Sequence, residues 1–307
     1  MKRVALLMNE AAGSVGSSGD LAETRALELG WDVHRLAERG ARATARDVAH
    51  QGYELVVAGG GDGTVREVVQ GLVDARADVS FGVLPLGTGN DLARSLRMPL
   101  DVEGALEVLA RSGDARLFAP LDLLQLTYGG TTSVCANSVN GGIAPLIREQ
   151  MDPDLKAKLG PLAFIWGALS SLTKLTRWPV RYRIDGGPIR DASFVAFVIA
   201  NGSSVGGGAQ VAPGARLDDG AFDLVVVHGD ASIAELTIAA IQTKFGDLFK
   251  SDCVEHVKGR QLEIVEQPPD LAFTVDGDPI DAPLESVRVL PAALRAVLGS
   301  PEPEATG

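Results

Sequence analysis

Cysteine is scarce in this chain. Two occur in 307 residues, Cys135 and Cys253, far apart and without metal-ligand spacing. That excludes a disulfide framework and a cysteine-ligated metal centre, and leaves two reduced thiols as the expectation. Histidine is nearly as rare: His34, His50, His228 and His256 fall in no zinc-like or triad-like pattern. Basic stripes are missing too. With a formal net charge of -12, nucleic acid is not an expected partner. An acidic body still allows a local basic patch at a membrane surface. Long apolar runs are absent as well. The longest charge-poor stretch, "LGPLAFIWGALSSLT" from Leu159 to Thr173, is shorter than the ~20 residues a spanning helix needs. The opening "MKRVALLMNEAAG" has too short an apolar run for a secretory leader and reads as a first strand. These absences together predict a cytoplasmic protein, at most peripheral to the inner face of a membrane.

What is present is ordinary globular composition. Hydrophobic residues make up 46% and charged residues 22%, enough to build a buried core and too apolar for disorder outside the polar end "GSPEPEATG". The first third alternates short apolar runs with helical patterns: "RVALLM", then "DLAETRALELG"; "WDVHRL", then "TARDVAHQG"; "ELVVA"; and "FGVLP". Such alternation predicts βαβ units and a parallel sheet covered on both faces. From about Leu117 the texture changes to short strands with turn residues between them: "LDLLQLTY", "TTSVCANSVN", "VRYRID", "ASFVAFVIANG", "FDLVVV", "QLEIVEQ", "LAFTVDG" and "SVRVL". Helical stretches at Asp152–Leu175 and Ala231–Phe249 interrupt it. The expectation is an α/β domain over residues 1–120 and a β-rich sandwich domain over 121–290. Residues 291–307 form a last segment that returns to the first domain before a disordered tail.

The densest motif is "VVAGGGDGTVREVVQGL", Val56–Leu72. Val65, Val68, Val69, Leu72 and Val73 have helical spacing, so the glycines stand where a strand hands over to a helix. Glycine there permits backbone angles closed to other residues and close approach to the main chain. Exposed N–H groups and the positive end of a helix dipole suit phosphate. The loop lacks the lysine of a Walker motif and has Arg66 where a dinucleotide fingerprint requires glycine. A second loop, "VLPLGTGNDLAR", Val83–Arg94, repeats the design. Two such loops at the ends of neighbouring parallel strands face one crevice, the usual ligand position in open α/β sheets. Asn90 or Asp91 alone would read as a helix cap.

These loops resemble the catalytic domain of the diacylglycerol kinase family, which includes bacterial lipid kinases and the sphingosine and ceramide kinases. "IANGSSVGGGAQVAPGARLDDGAFDLVVV", Ile199–Val227, is similar to the family's second-domain signature, and "FTVDGDPI", Phe273–Ile280, to its late Asp-Gly-Glu element. NAD kinases share the GGDGT loop without the other segments. The resemblance implies an NAD kinase/diacylglycerol kinase-like α/β domain followed by a β sandwich. It also implies Mg²⁺-dependent transfer of the γ-phosphoryl group of ATP to a lipid hydroxyl, diacylglycerol being the model acceptor. A transient membrane surface is then the expected partner, and an edge strand of the β domain offers a homodimer contact. An NAD kinase-like enzyme with a soluble acceptor, or a nucleotide-binding protein without catalysis, are the alternatives.

Residue by residue, the resemblance assigns the nucleotide to Asn9, Gly13, Gly60, Gly61, Asp62, Gly63, Thr64, Glu67, Thr88 and Asn90. Asp62 would act through Mg²⁺, and Glu67 as a cap or on a metal-bound water. Asp276 and Asp278 would take the hydroxyl proton, and Asp276-Gly277 equally suits a hairpin turn. The loop "ARLDDG" would form a second metal site from the Asp219 carboxylate and the main-chain carbonyls of Arg216 and Ala221. The chain departs from the family at Glu10, where proline is usual, at Arg66, where asparagine is usual, and at Asp278, where glutamate is usual. "AFIWGALSSLTKLTRWPVRYR" reads either as a lipid-facing helix with aromatic and basic flanks or as a buried helix of the second domain. Gly206-Gly207-Gly208 reads as a close approach for the lipid or as a bulge.

Overall fold

The structure is a computed structural model that describes residues 3–9, 17–36, 40–111, 113–142 and 176–300. The chain divides into two compact units: Met1–Leu121 with Ala292–Gly307, and Asp122–Pro291.

Unit 1 alternates strand and helix: β1 (Val4–Met8), α1 (Ser17–Glu28), β2 (Asp32–Arg35), α2 (Ala41–Ala49), β3 (Leu55–Gly60), α3 (Asp62–Ala75), β4 (Ser80–Pro85), α4 (Asp91–Ser95) and α5 (Val102–Ala110). β1 pairs in parallel with β2 and β3, and β3 in parallel with β4. All of β1 and β3 is buried, as the continuous apolar runs of a parallel sheet require. The buried face of α3 carries Val65, Val68, Val69 and Leu72. α2 crosses α3 so closely that a Cβ on Gly71 would meet the Ala45 Cβ at 2.8 Å. α5 begins at an Asp101 cap whose carboxylate accepts from the Gly104 amide at 2.8 Å, satisfying one of the first-turn donors.

In unit 2 the strands are β5 (Phe118–Tyr128), β6 (Thr131–Cys135), β7 (Ser138–Gly142), β8 (Trp178–Ile184), β9 (Arg190–Ala200), β10 (Ser204–Val205), β11 (Ala209–Gln210), β12 (Phe222–His228), β13 (Val254–Gly259), β14 (Gln261–Glu266), β15 (Phe273–Val275) and β16 (Asp278–Pro279). β5 starts in unit 1. The final strand, β17 (Leu284–Val297), crosses the division. Its early residues pair antiparallel with β14, Val287 opposite Leu262, and its late residues pair in parallel with β4, Arg295 opposite Ser80. Helix α6 (Ile233–Gln242) begins in a capping box between Ser232 and Glu235.

β9 organises this unit. It pairs antiparallel with β12, with β8 over its first half and with β7 over its second. Phe194, Phe197 and Ile199 enter one apolar core, Val195, Val198 and Ala200 the other. The alternation slips by one residue at Ala196, where the β12 register jumps between Val227 and His228. A bulge has this effect: one extra residue moves the following side chains to opposite faces.

Several element boundaries differ from the sequence reading. "TTSVCANSVN" is two strands, β6 and β7, because the chain turns at Ala136-Asn137. The helix expected over Ala231–Phe249 stops at Gln242. Gly246, at φ 72°, separates it from a short 3-10 turn, Leu248–Lys250. The expected helix at Asp152–Leu175 lies outside the described residues. The end of that aromatic and basic segment is strand β8, in which Trp178, Val180 and Tyr182 are buried. Its arginines pair with acids: Arg181 with Asp191 and Glu266, Arg183 with Glu263. Among the described residues no helix is long and apolar enough to cross a membrane.

Candidate functional site

In unit 1 the two glycine loops follow adjacent parallel strands, with Gly60 opposite Pro85. Their glycines are not there for left-handed backbone. None of Gly59, Gly60, Gly61, Gly63, Gly87 or Gly89 has positive φ. Contact explains Gly60, Gly61 and Gly87 instead. A Cβ on Gly61 would sit 3.3 Å from the Gly87 Cα, one on Gly87 would run into the Gly61 Cα, and one on Gly60 would meet Thr64 at 2.6 Å. The left-handed residue of the second loop is Asn90, at φ 54°, a conformation asparagine tolerates better than most.

Asp62 ties the loops together. It opens α3, and its carboxylate accepts from the Asn90 amide at 3.0 Å and the Asp91 amide at 2.8 Å. It thus anchors the start of α4 while lying in the first turn of α3, where a negative charge also suits the helix dipole. Asn90 closes the second loop. Its Oδ1 accepts from the Gly87 amide at 3.1 Å and its Nδ2 donates to the Gly87 carbonyl at 2.7 Å. Asn9, just after β1, donates from its amide to the Gly59 carbonyl and from Nδ2 to Thr64 Oγ1, each at 3.1 Å. Thr88 is exposed at the loop tip. Glu67 points elsewhere: its Oε2 accepts from the Ala41 amide at 3.1 Å and so caps α2, whose own cap position, Gly40, has no side chain to do so. Gly13 and Glu10 lie outside the described residues. Unit 1 therefore brings Asn9, Gly60, Gly61, Asp62, Gly63, Thr64, Thr88 and Asn90 to the carboxyl ends of β1, β3 and β4, around the first-turn amides of α3 that have no intrahelical acceptor.

Unit 2 separates the two late aspartates by environment. Asp276 and Gly277 form the two-residue turn between β15 and β16, with φ 48° and 89°, the mirror-image turn that Asp-Gly favours. The Asp276 carboxylate is enclosed by the β6–β7 connection. It accepts from the amides of Ala136 (2.8 Å), Asn137 (2.8 Å) and Ser138 (3.0 Å) and from the Cys135 thiol (3.1 Å). Burial, together with the Asp276 charge, pushes the Cys135 thiol well above its ordinary range, so it remains a neutral donor. Both cysteines are free and buried. Asp278 stands two residues on, half-buried, opposite Val275.

The expected second metal loop is differently occupied. The Asp219 carboxylate accepts from the Ala221 amide at 3.1 Å and meets the Lys258 ammonium at 2.6 Å, while the Arg216 guanidinium pairs with Asp218 at 3.0 Å. No group of three or more acidic, histidine or cysteine side chains able to hold a metal occurs among the described residues. Arg216, Asp219 and Ala221 as placed do not fit a divalent cation, because an ammonium already fills the space before the one carboxylate of the set. The three glycines Gly206–Gly208 form the turn between β10 and β11, all at positive φ.

Two residues of this region were not singled out from the sequence. Asp122 is buried, accepts from the Gly220 amide at 2.6 Å and donates its own amide to the Leu217 carbonyl, so it shapes the acidic turn from both sides. A charged residue inside the apolar run "LDLL" was the available signal. Asn201 donates to the carbonyls of Asp122 and Ala136, both at 2.8 Å, linking that turn to the Asp276 enclosure.

Residues 3–119 match the family model described as the diacylglycerol kinase catalytic domain, and residues 137–298 the one described as the YegS C-terminal NAD kinase beta sandwich-like domain. The chain is similar to "Probable lipid kinase YegS-like" of Xanthomonas euvesicatoria pv. vesicatoria, with 30% identity over 302 residues, covering 94% of this chain and 90% of the relative. It is also similar to "Probable lipid kinase YegS" of Escherichia fergusonii, with 32% identity over 265 residues, 85% of this chain and 84% of the relative. Among solved structures it resembles a diacylglycerol kinase from Bacillus anthracis str. Sterne, with a TM-score of 0.73 and 21% identity over 97% of both chains. It also resembles an NAD kinase from Archaeoglobus fulgidus in complex with ATP, with a TM-score of 0.52 and 12% identity over 97% of this chain and 94% of that one. These two structures support the fold: an α/β unit with a parallel sheet and a β-rich unit.

Proposed function

The chain belongs to the diacylglycerol kinase catalytic-domain family, in its YegS-like lipid kinase branch, and from that premise we propose that it phosphorylates a diacylglycerol-like lipid with ATP. The lipid hydroxyl oxygen forms a bond to the γ-phosphorus, the bond from that phosphorus to the ADP oxygen breaks, and the hydroxyl proton passes to a carboxylate. Unit 1 supplies the nucleotide site. The observation that carries this is the Asp62 clasp on the Asn90 and Asp91 amides. It holds two glycine loops main chain to main chain, so that amides at a helix start face phosphate oxygens without rearrangement. Asp62 acts on the nucleotide through the backbone it positions. Mg²⁺, arriving with the nucleotide, supplies charge neutralisation on the phosphates.

The late aspartates are the candidates for the base. Asp276 already accepts four donors, which direct its lone pairs into the protein. Asp278 is the residue we assign to the hydroxyl proton, with Asp276 positioning it through the tight turn. The acceptor is a membrane lipid, so the enzyme works transiently at a membrane surface. Exposed Ile238 and Ile241 on α6 and Phe245 just beyond it support that setting.

The test is incubation with γ-labelled ATP and Mg²⁺ in the presence of vesicles carrying diacylglycerol, sphingoid base or ceramide, and separately with NAD. Label in the diacylglycerol fraction is expected. Label in NAD alone would overturn the lipid reading, and bound ATP with no labelled acceptor would overturn catalysis.

A further inference from the structure

The acidic turn that precedes β12 is neutralised from within. Each carboxylate in it and beside it has a protein partner. Asp218 takes the Arg216 guanidinium at 3.0 and 3.1 Å, and Asp122 takes the Gly220 amide at 2.6 Å. Asp223, with a side chain only 4% exposed, contacts His256 Nε2 at 2.6 Å. Lys258 joins Asp219 and Asp223, with Nζ 2.6 Å from the first and 3.6 Å from the second.

Register explains the convergence. β12 and β13 run antiparallel with Asp223 directly opposite Lys258, and the period of two puts His256 on the same face as Lys258. Directly opposed residues lie close enough for opposite charges to pair. The lysine stem then reaches past Asp223 to the turn residue Asp219.

We infer that Lys258 is the built-in counter-cation of this turn, standing where a divalent ion would otherwise sit, and that the turn folds and stays closed without bound metal. A magnesium ion needs oxygen ligands at about 2.0–2.1 Å in near-octahedral array. At Asp219 it would first have to displace the ammonium, and the remaining acids are held by Arg216, His256 and the Gly220 amide. Removing Lys258 reverses the situation: Asp219 keeps one amide and buried Asp223 keeps one histidine, and the surplus negative charge then favours a cation.

The test uses the nucleotide-free full chain, melted in EDTA and in millimolar MgCl₂. The native protein should give superimposable curves. Lys258→Met should melt several degrees lower in EDTA and recover with Mg²⁺, and Lys258→Arg should behave as native. A native melting temperature that rises with Mg²⁺ overturns the inference, as does a Lys258→Met protein that melts like native and ignores Mg²⁺. Where Lys258→Met does not fold, Mn²⁺ binding to the native chain decides, read by electron paramagnetic resonance. No bound Mn²⁺ is expected, and a Mn²⁺ lost on Asp219→Asn overturns the assignment. None of these readouts depends on kinase activity.

Discussion

Replacing Asp62 by asparagine isolates the clasp between the two glycine loops. The native carboxylate accepts two backbone amides, one on each oxygen, at 3.0 and 2.8 Å. Hydrogen bonds to a charged group contribute about 1.5–3 kcal/mol each. Asparagine keeps one acceptor oxygen, and its NH₂ faces the second amide donor to donor. The variant therefore loses one charge-assisted bond, and the other weakens to a neutral one. Asp62 is half-buried, so water compensates in part and the loss falls at the lower end, about 2 kcal/mol. For a unit of this size that is a drop in melting temperature of roughly 4–8 °C. The same loosening lets the Asn90 loop shift against Gly61, and a displacement of about 1 Å at a phosphate-positioning element costs on the order of 10²-fold in turnover. Calorimetry and steady-state kinetics on the same preparation read both effects. Lost turnover with unchanged melting would refute the positioning argument and place Asp62 directly on the reacting groups. Native melting with native turnover would remove it from the site.

Other consequences are equally open to measurement. Asp278→Asn should lower kcat by roughly 10²–10⁴-fold with native melting, since Asp278 is half-buried at a strand end; near-native kcat would move the base elsewhere. Gly87→Ala pushes a methyl into the Gly61 Cα, backbone against backbone, and should weaken nucleotide binding in a fluorescent-analogue titration; native affinity would show that the loops are free to part. Hydrogen bonds from the Ser232 side chain and backbone hold the Glu235 carboxyl below its ordinary pKa. A depressed carboxylate contributes stability that is fully present above its unfolded pKa and is lost as pH falls through the lower folded value. Melting curves of native and Glu235→Gln proteins should therefore differ at neutral pH and converge in acid below the ordinary glutamate range; a constant gap would deny the capping charge a role.

Much of the architecture was legible because its signals are local. Continuous apolar runs of five or six residues between helical patterns mark β1, β3 and β4 as buried parallel strands, since a strand covered on both faces has no polar positions to show. Asp276-Gly277 marks its hairpin, because that dipeptide tolerates two successive positive φ angles. The two glycine loops and the order of the later motifs identified the family. What the local pattern could not carry were partnerships between distant residues. Asp62 meets amides 28 and 29 positions away, Asp276 is enclosed by a turn about 140 positions earlier, and Glu67 caps a helix it does not belong to. Of the two uses that the glycines of the loops offered, unusual backbone angles and close approach of the main chain, the second is the one at work. Lys258 faces Asp223 only because two strands adopt one register, and it reaches Asp219 only from there. Local sequence determines which angles and which burial a segment prefers. Where a carboxylate finds its donors depends on which segments the sheet brings side by side, and that is decided once the chain has closed on itself.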